Sequence, residues 1–312
     1  MSDNRDVVHG AEHTPPVLPD QLSSGGMNEE AEPVLVRLNL SSSAENVPTV
    51  RQALAGFGEA IALQPLDLND IRTALTEACN NASLHAYRGS DGPMEVELSA
   101  STDTVGVAVR DRGTGLPAEA TQFEFHDTDA EELPGIGLPA IHSLATSVQV
   151  SERDGGGTEV AMSFDTPHIR ISPGGPSAEG GELPELPEVW PANTVELEMA
   201  PLEAARWVFP RVLRAMAARA HFRIDRLADA QKIGELLLAD PGWQPSDGVC
   251  AGITVTEEGI EFAVGPVSDV RASKLAAAVR RLEPEIGGLS DARLPVGPAK
   301  DERLGFAMAR WH

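Results

Sequence analysis

Apolar and polar residues alternate at Val34, Val36 and Leu38, the two-residue period of a strand with one face buried. The period then changes. Val47, Val50, Leu54, Phe57 and Ile61 recur at three- and four-residue steps, as do Ile71, Leu75, Ala78 and Ala82, so two amphipathic helices follow, the second with Asp67 as its expected cap. Met94, Val96 and Leu98 alternate again, a polar turn intervenes, and Val105, Val107 and Val109 complete a hairpin. After an acidic, glycine-punctuated stretch comes a short helix over about 138–145. Strands over about 148–151 and 158–164 are joined through Asp154-Gly155-Gly156-Gly157. The order β-α-α-β-β-loop-α-β-β predicts an α+β fold, a two-layer sandwich with one mixed sheet and helices on one face.

That order returns later in the chain. Val195, Leu197 and Met199 predict a strand, residues 202–219 and 225–239 two helices, and 249–256 with 260–264 a hairpin. A helix over about 272–282 and a strand over 304–309 close the series, and Gly305-Phe306-Ala307-Met308 echoes Glu159-Val160-Ala161-Met162. Four segments result: a disordered acidic tail over 1–32, a first domain over 33–165, a Pro/Gly/Glu linker over 166–193 and a second domain over 194–312. An internal duplication with one divergent copy explains the repeated order. Two unrelated α+β domains that share an element order are the alternative.

Composition narrows the class. The 312 residues carry 24 basic and 48 acidic side chains, a formal charge of −24. That balance argues against a duplex-binding face, which needs clustered Lys and Arg, and against docking on anionic membranes. Cys79 and Cys250 have no C-x-x-C spacing, so neither a disulfide framework nor a zinc module is expected. The first 30 residues have no apolar stretch of signal-peptide type, and no run of about 18 apolar residues occurs, so a cytoplasmic protein is expected.

Four short patterns can carry chemistry. Glu77 and Asn81 stand four apart on one helix, so they project from one face. A carboxylate there can take a proton from a nucleophile, and a carboxamide oxygen can serve Mg²⁺ while the ion keeps several waters. Asp111-Arg112-Gly113-Thr114-Gly115 follows a strand, where an acid can accept from an exocyclic amine and the glycines permit a tight turn. Pro134-Gly135-Ile136-Gly137-Leu138 precedes a helix, a place where backbone N–H groups receive anions. Gly156-Gly157-Thr158 enters a strand with a hydroxyl to offer. Taken alone, the first is usually a solvated helix face, and the second and fourth are more often plain turns. His85 reads as a helix-end residue, Cys79 as a small core residue and Arg112 as a turn residue.

In this order and these structural positions the four patterns resemble the N, G1 and G2 boxes of the GHKL (Bergerat-fold) ATPase superfamily. Glu77-Ala78-Cys79-Asn80-Asn81-Ala82 with His85-Ala86-Tyr87 resembles the anti-sigma-factor serine/threonine kinases of the RsbW and SpoIIAB type. The resemblance spans 33–165 and implies ATP and Mg²⁺ as cofactors. It makes Glu77 the general base, Asn81 the Mg²⁺ ligand and Asp111 the adenine reader. Gly113, Gly115, Gly135, Gly137, Leu138 and Thr158 would shape the pocket, and 116–134 would form a lid. Pro134 and Pro139 around the G-I-G turn, and the strong acidity of the lid, depart from the family pattern.

The second copy differs. Aligning Leu227 with Ile71 puts Ile233 at the Glu77 position and Leu237 at the Asn81 position, and Pro266 falls where Asp111 stands, so this copy is expected to bind no ATP. Its helices instead carry Arg211, Arg214, Arg219, Arg223, Arg226 and Lys232 against Asp225 and Asp229, a solvated face or a docking surface for something acidic. The resemblance implies a protein kinase that phosphorylates a STAS-class anti-anti-sigma protein and sequesters a sigma factor, working as a homodimer or an intramolecular pseudo-dimer. A non-catalytic, nucleotide-gated switch and a simple ATPase of the same superfamily are the rival readings.

Overall fold

In the computed structural model, which describes residues 34–115, 138–153, 155–170, 190–282, 288–292 and 303–310, the two hydrophobic periods become the expected elements. The first half runs β1 (Val34–Ser41), α1 (Val47–Ala60), α2 (Pro65–Asn81), β2 (Pro93–Ser101), β3 (Thr104–Asp111), α3 (Leu138–Leu144), β4 (Ser147–Glu152) and β5 (Thr158–Asp165). The second runs β6 (Thr194–Ala200), α4 (Leu202–Arg219), α5 (Ile224–Leu238), β7 (Val249–Val255), β8 (Gly259–Gly265), α6 (Asp269–Arg280), β9 (Leu289–Ala292) and β10 (Leu304–Ala309). β9 has no counterpart in the sequence reading. The expected tail over 1–32, the lid over 116–134 and most of the linker lie outside the described residues. Asp67 does not cap α2: Gln64 is the N-cap, Pro65 opens the helix, and Asp67 sits in the first turn, where its charge still complements the helix dipole.

All ten strands join in one sheet of order β4-β5-β3-β2-β1-β6-β7-β8-β10-β9. The expected mixed sheet is not found, because every pairing between these strands is antiparallel. The connections explain this. Two helices between β1 and β2 return the chain in the opposite sense. The single helix after β3 delivers β4 parallel to β3, but β5 folds back between them and separates the pair.

The strands place one face on the helices and turn the other away. Leu38, Val96 and Val109 are buried in the core, as are Phe57 of α1 and Ile71 and Leu75 of α2. The opposite face carries charges in register across four strands. Arg110 of β3 donates to Glu95 at 2.5 Å and Glu97 at 3.0 Å, and Arg37 of β1 bridges Glu97 and Glu198, each at 3.1 Å. Glu95 and Arg110 are buried, so each charge depends on the other for compensation.

The halves meet along β1 and β6, from Leu35 opposite Ala200 to Leu40 opposite Val195. Above that pairing α1 packs on α4. Gly56 makes the approach close, since a Cβ there would lie 2.5 Å from the carbonyl oxygen of Trp207. Thr49 lies 3.8 Å from the Met216 sulfur across the same contact, and Arg219 donates to Asn46 Oδ1 at 2.6 Å. Core and sheet therefore continue through the seam. Read outward from it, the two halves present their strands in matching order, β1-β2-β3-β5-β4 on one side and β6-β7-β8-β10-β9 on the other.

Burial refines the correspondence between the halves. Buried positions 71, 74, 75, 78 and 79 of α2 repeat as 230, 233, 234, 237 and 238 of α5. This phase moves the counterpart of Glu77 from Ile233 to Leu236 and that of Asn81 from Leu237 to Asp240, because packing and not residue count sets helix register. Strand pairing likewise displaces the Met162/Met308 echo. Met162 pairs with Val107, whereas Met308 pairs with Ile260, which corresponds to Val105.

Candidate functional site

The C-terminal end of β3 and the end of α2 form a cavity of about 340 Å³. α2 and the π-helical turn Ala82–Ala86 that continues it supply Ala78, Asn81, Ala82, His85 and Ala86. A widened turn of this kind is uncommon and concentrates at functional sites. β3 and the turn after it contribute Val109, Asp111, Thr114 and Gly115, and Leu138, Val150, Thr158 and Val160 complete the wall. Most of these side chains are small or aliphatic, which suits a flat apolar group, while Asp111 and Asn81 offer polar recognition at separate points.

Asp111 is held by the backbone around it. Its Oδ1 accepts from Gly113 N at 2.8 Å and from Thr158 N at 3.2 Å. The second bond follows from sheet register, since Arg110 of β3 pairs with Glu159 of β5 and so brings the next strand's entry beside Asp111. Burial pushes the Asp111 carboxyl above its ordinary value, and the two N–H donors and the nearby Arg153 guanidinium oppose that shift. Among the described residues nothing donates to Oδ2. A ligand N–H would relieve the desolvated oxygen, and a ligand carbonyl would not.

Two glycines are required by contact. A Cβ on Gly113 would overlap the Ala86 carbonyl oxygen, and one on Gly157, at φ +98°, would overlap that of Asp111. The turn is pinned further by Thr114 N donating to Ala86 O at 2.9 Å. Tyr87 ties the same turn to β2: its hydroxyl donates to Pro93 O at 2.5 Å and accepts from Arg112 N at 2.7 Å. Burial raises the Tyr87 pKa to about 12, so the phenol stays protonated and can act as a donor.

The sequence-derived residues are thus partly united. Asn81, Asp111, Gly115, Leu138 and Thr158 line one cavity. Gly113 braces it from behind. Glu77 is half-buried one helical turn before Asn81 and is not among the lining residues. Gly135 and Gly137 lie outside the described residues. Cys79 is buried core, its thiol pushed up to about 12 by burial, as its small-core reading expects. His85, read as a helix-end residue, faces the cavity. Sequence reasoning assigned no separate role to Tyr87 or to Arg153. The first had a signal, being the chain's single tyrosine at the end of a helix. Among the described residues no group of three or more His, Cys, Asp or Glu side chains could cage a metal, and no helix is long and apolar enough to cross a membrane.

An anti-sigma F factor from Clostridium beijerinckii is 28% identical over 124 residues, 39% of this chain and 87% of the relative. The serine-protein kinase RsbW of Bacillus pumilus is 27% identical over 138 residues, covering 41% of this chain and 84% of its own. An anti-sigma F factor from Thermoanaerobacter sp. is 27% identical over 130 residues, 41% and 91% respectively. The family model described as "Histidine kinase-like ATPase domain" matches residues 40–164, the stretch that builds the cavity. Residues 40–164 are accordingly a histidine kinase-like ATPase domain of the GHKL type.

Proposed function

We propose that this protein binds ATP in the cavity beside Asp111 and phosphorylates a serine or threonine of a small STAS-class anti-anti-sigma protein, thereby controlling sequestration of a sigma factor in the cytoplasm. The convergence of Asn81, Asp111, Gly115, Leu138 and Thr158 on one cavity carries the reading, together with the similarity to RsbW.

The cavity suits a purine. Ala78, Ala82, Ala86, Val109, Leu138, Val150 and Val160 supply apolar walls, and Asp111 Oδ2 accepts the exocyclic N–H. Guanine offers a carbonyl there and leaves the carboxylate unmatched, so adenine is preferred. The donor set also fits Mg²⁺, which takes few protein ligands and completes its shell with phosphate and water: the Asn81 carboxamide oxygen would hold it, and no carboxylate cage is needed. The bound ion supplies neutralisation of phosphate charge. Glu77, one turn away on α2, takes the proton of the attacking Ser or Thr hydroxyl as that oxygen bonds to the γ-phosphorus and ADP leaves.

The second half has Pro266 where the first has Asp111, and Leu236 where the first has Glu77. In this reading it is a duplicated copy that has lost its nucleotide site and takes the place of a second subunit, forming an intramolecular pseudo-dimer along β1 and β6.

Transfer of label from [γ-³²P]ATP to a purified STAS-domain protein tests the activity. The Glu77→Gln variant is expected to bind ATP and to transfer phosphate roughly 10² to 10⁴ times more slowly. Transfer at the unaltered rate removes Glu77 from the mechanism. One observation favours a non-catalytic switch instead, namely that Glu77 does not line the cavity. Nucleotide-dependent partner capture with no label transferred would identify it.

A further inference from the structure

A second and larger cavity, of about 570 Å³, lies between α1 and α4 and shares no lining residue with the first. From the first half come Glu45, Pro48, Thr49 and Gln52, and the second half contributes Arg211, Arg214 and Arg219 beside Ala215 and Ala218, with His221 and Leu227 at one end. Three guanidinium groups and an imidazole therefore face one carboxylate in a chain whose formal charge is −24. The volume lies within the range of small-molecule sites.

The arginines are not equally committed. Arg211 is paired with Glu59 and lies 5.6 Å from the Trp207 ring centroid. Arg219 is fixed by Asn46 Oδ1, by Ala192 O at 2.8 Å and by Glu45 at 3.4 Å, the last a largely exposed carboxylate. Arg214 differs: it makes one long bond, 3.4 Å to Gln231 Oε1, and no carboxylate lies within 4 Å of it among the described residues. Two arginines are thus pre-oriented by protein partners, and the third, Arg214, is exposed and paired with no described carboxylate. Other basic residues of these helices are engaged away from the cavity, Arg223 with Asp225 and Arg226 with Asp229.

The cationic wall belongs to one half only. In the correspondence that matches the buried positions of α1 and α4, Arg211 and Arg214 take the places of Gly56 and Glu59, and Trp207 that of Gln52, while Arg219 lies in the last turn of α4, beyond the matched length of α1. Arg211 and Arg219 serve the seam, through Glu59 of α1 and through Asn46 and Glu45 just before it, whereas Arg214 makes no hydrogen bond or ion pair with the first half among the described residues.

We propose that this cavity is a binding site for a small organic phosphate, with the phosphate ester on Arg214 and its neighbours and an apolar body against Pro48, Ala215, Ala218 and Leu227. Guanidinium forks match phosphate oxygens in geometry as well as charge. The walls bring both halves together, so an occupant bridges them.

Calorimetric titration of the full chain in EDTA at physiological ionic strength, with phenyl phosphate as probe and inorganic phosphate beside it, tests the site. Phenyl phosphate is expected to bind, and more tightly than inorganic phosphate. Arg214→Ala is expected to weaken it about tenfold, and Ala215→Trp, which fills the cavity without altering charge, to weaken it at least as much. Unchanged melting temperatures would show that both variants are folded. Absence of binding by phenyl phosphate, equal binding by all three proteins, or loss in Arg214→Ala but not in Ala215→Trp would overturn the proposal. So would a hexaglutamate peptide that binds where phenyl phosphate does not, which would make the cavity a docking place for acidic polypeptide.

Discussion

The hydroxyl of Tyr87 accepts from Arg112 N at 2.7 Å while it donates to Pro93 O at 2.5 Å, so one side chain joins the end of the π-helical turn to β2 and to the turn that follows β3. Gly92 sits so close to its ring that a Cβ there would overlap it. The turn carrying Asp111 is therefore fixed from below as well as by its own backbone.

Tyr87→Phe removes both bonds and leaves Arg112 N–H and Pro93 C=O without this partner. Stability is expected to fall by about 1–3 kcal/mol, and adenine nucleotide affinity severalfold as the turn loosens. Urea denaturation and nucleotide titration measure the two effects. Full affinity in a destabilised variant would show that the turn is held without Tyr87.

Asp111→Asn keeps an oxygen for Gly113 N and Thr158 N but discards the charge. The folded-state pKa of Asp111 is raised by burial, so ionisation opposes folding at neutral pH, and that penalty fades as pH falls through the folded and then the unfolded value. The variant is expected to be more stable than the natural protein at pH 7, with the difference shrinking on acidification. ATP affinity should drop about tenfold or more. Denaturation curves at neutral and acid pH test the first expectation, and a variant advantage that grows in acid would contradict it.

Gly155 and Gly157 both adopt positive φ, +89° and +98°, yet a Cβ on the first meets nothing within 4 Å and one on the second overlaps Asp111 O. Each alanine substitution pays the left-handed conformational penalty, of about 1–2 kcal/mol. Gly157→Ala is expected to cost at least about 1 kcal/mol more, the usual scale of overpacking, and to lower nucleotide affinity. Thermal melts of the two variants side by side isolate the contact.

Gly56→Ala tests the seam. Its Cβ needs space that the Trp207 carbonyl and Val208 Cα occupy, so α1 and α4 must separate. A loss of about 1–3 kcal/mol is expected. Hydrogen exchange should quicken in α1 and α4 more than in β4 and β5, and uniform exchange would argue against a localised effect.

Much of this architecture was legible because its signals are local. Alternation marked β1, β2, β3 and β8, and the buried stripe marked α4 over the residues it occupies. β9 escaped because four residues at a sheet edge, Leu289–Ala292, carry too little alternation. The sense of the strands was misread because neighbours in a sheet need not be neighbours in sequence, and β5 inserts between β3 and β4. At the site, Asp111 and Asn81 stood out by spacing, whereas the Thr158 N–H contact depends on β3–β5 register, which no local pattern encodes. Arg214 could be seen as a charge, but its distance from every described carboxylate could not.

The pairing of β1 with β6 occurs within one chain. Its formation is unimolecular, so dilution that dissociates two-chain assemblies leaves it intact. A mutation also enters the pair once instead of twice. Glu59 can therefore be acidic where its counterpart Arg214 is basic, and each side of the join is free to acquire chemistry that a symmetric assembly would be forced to duplicate.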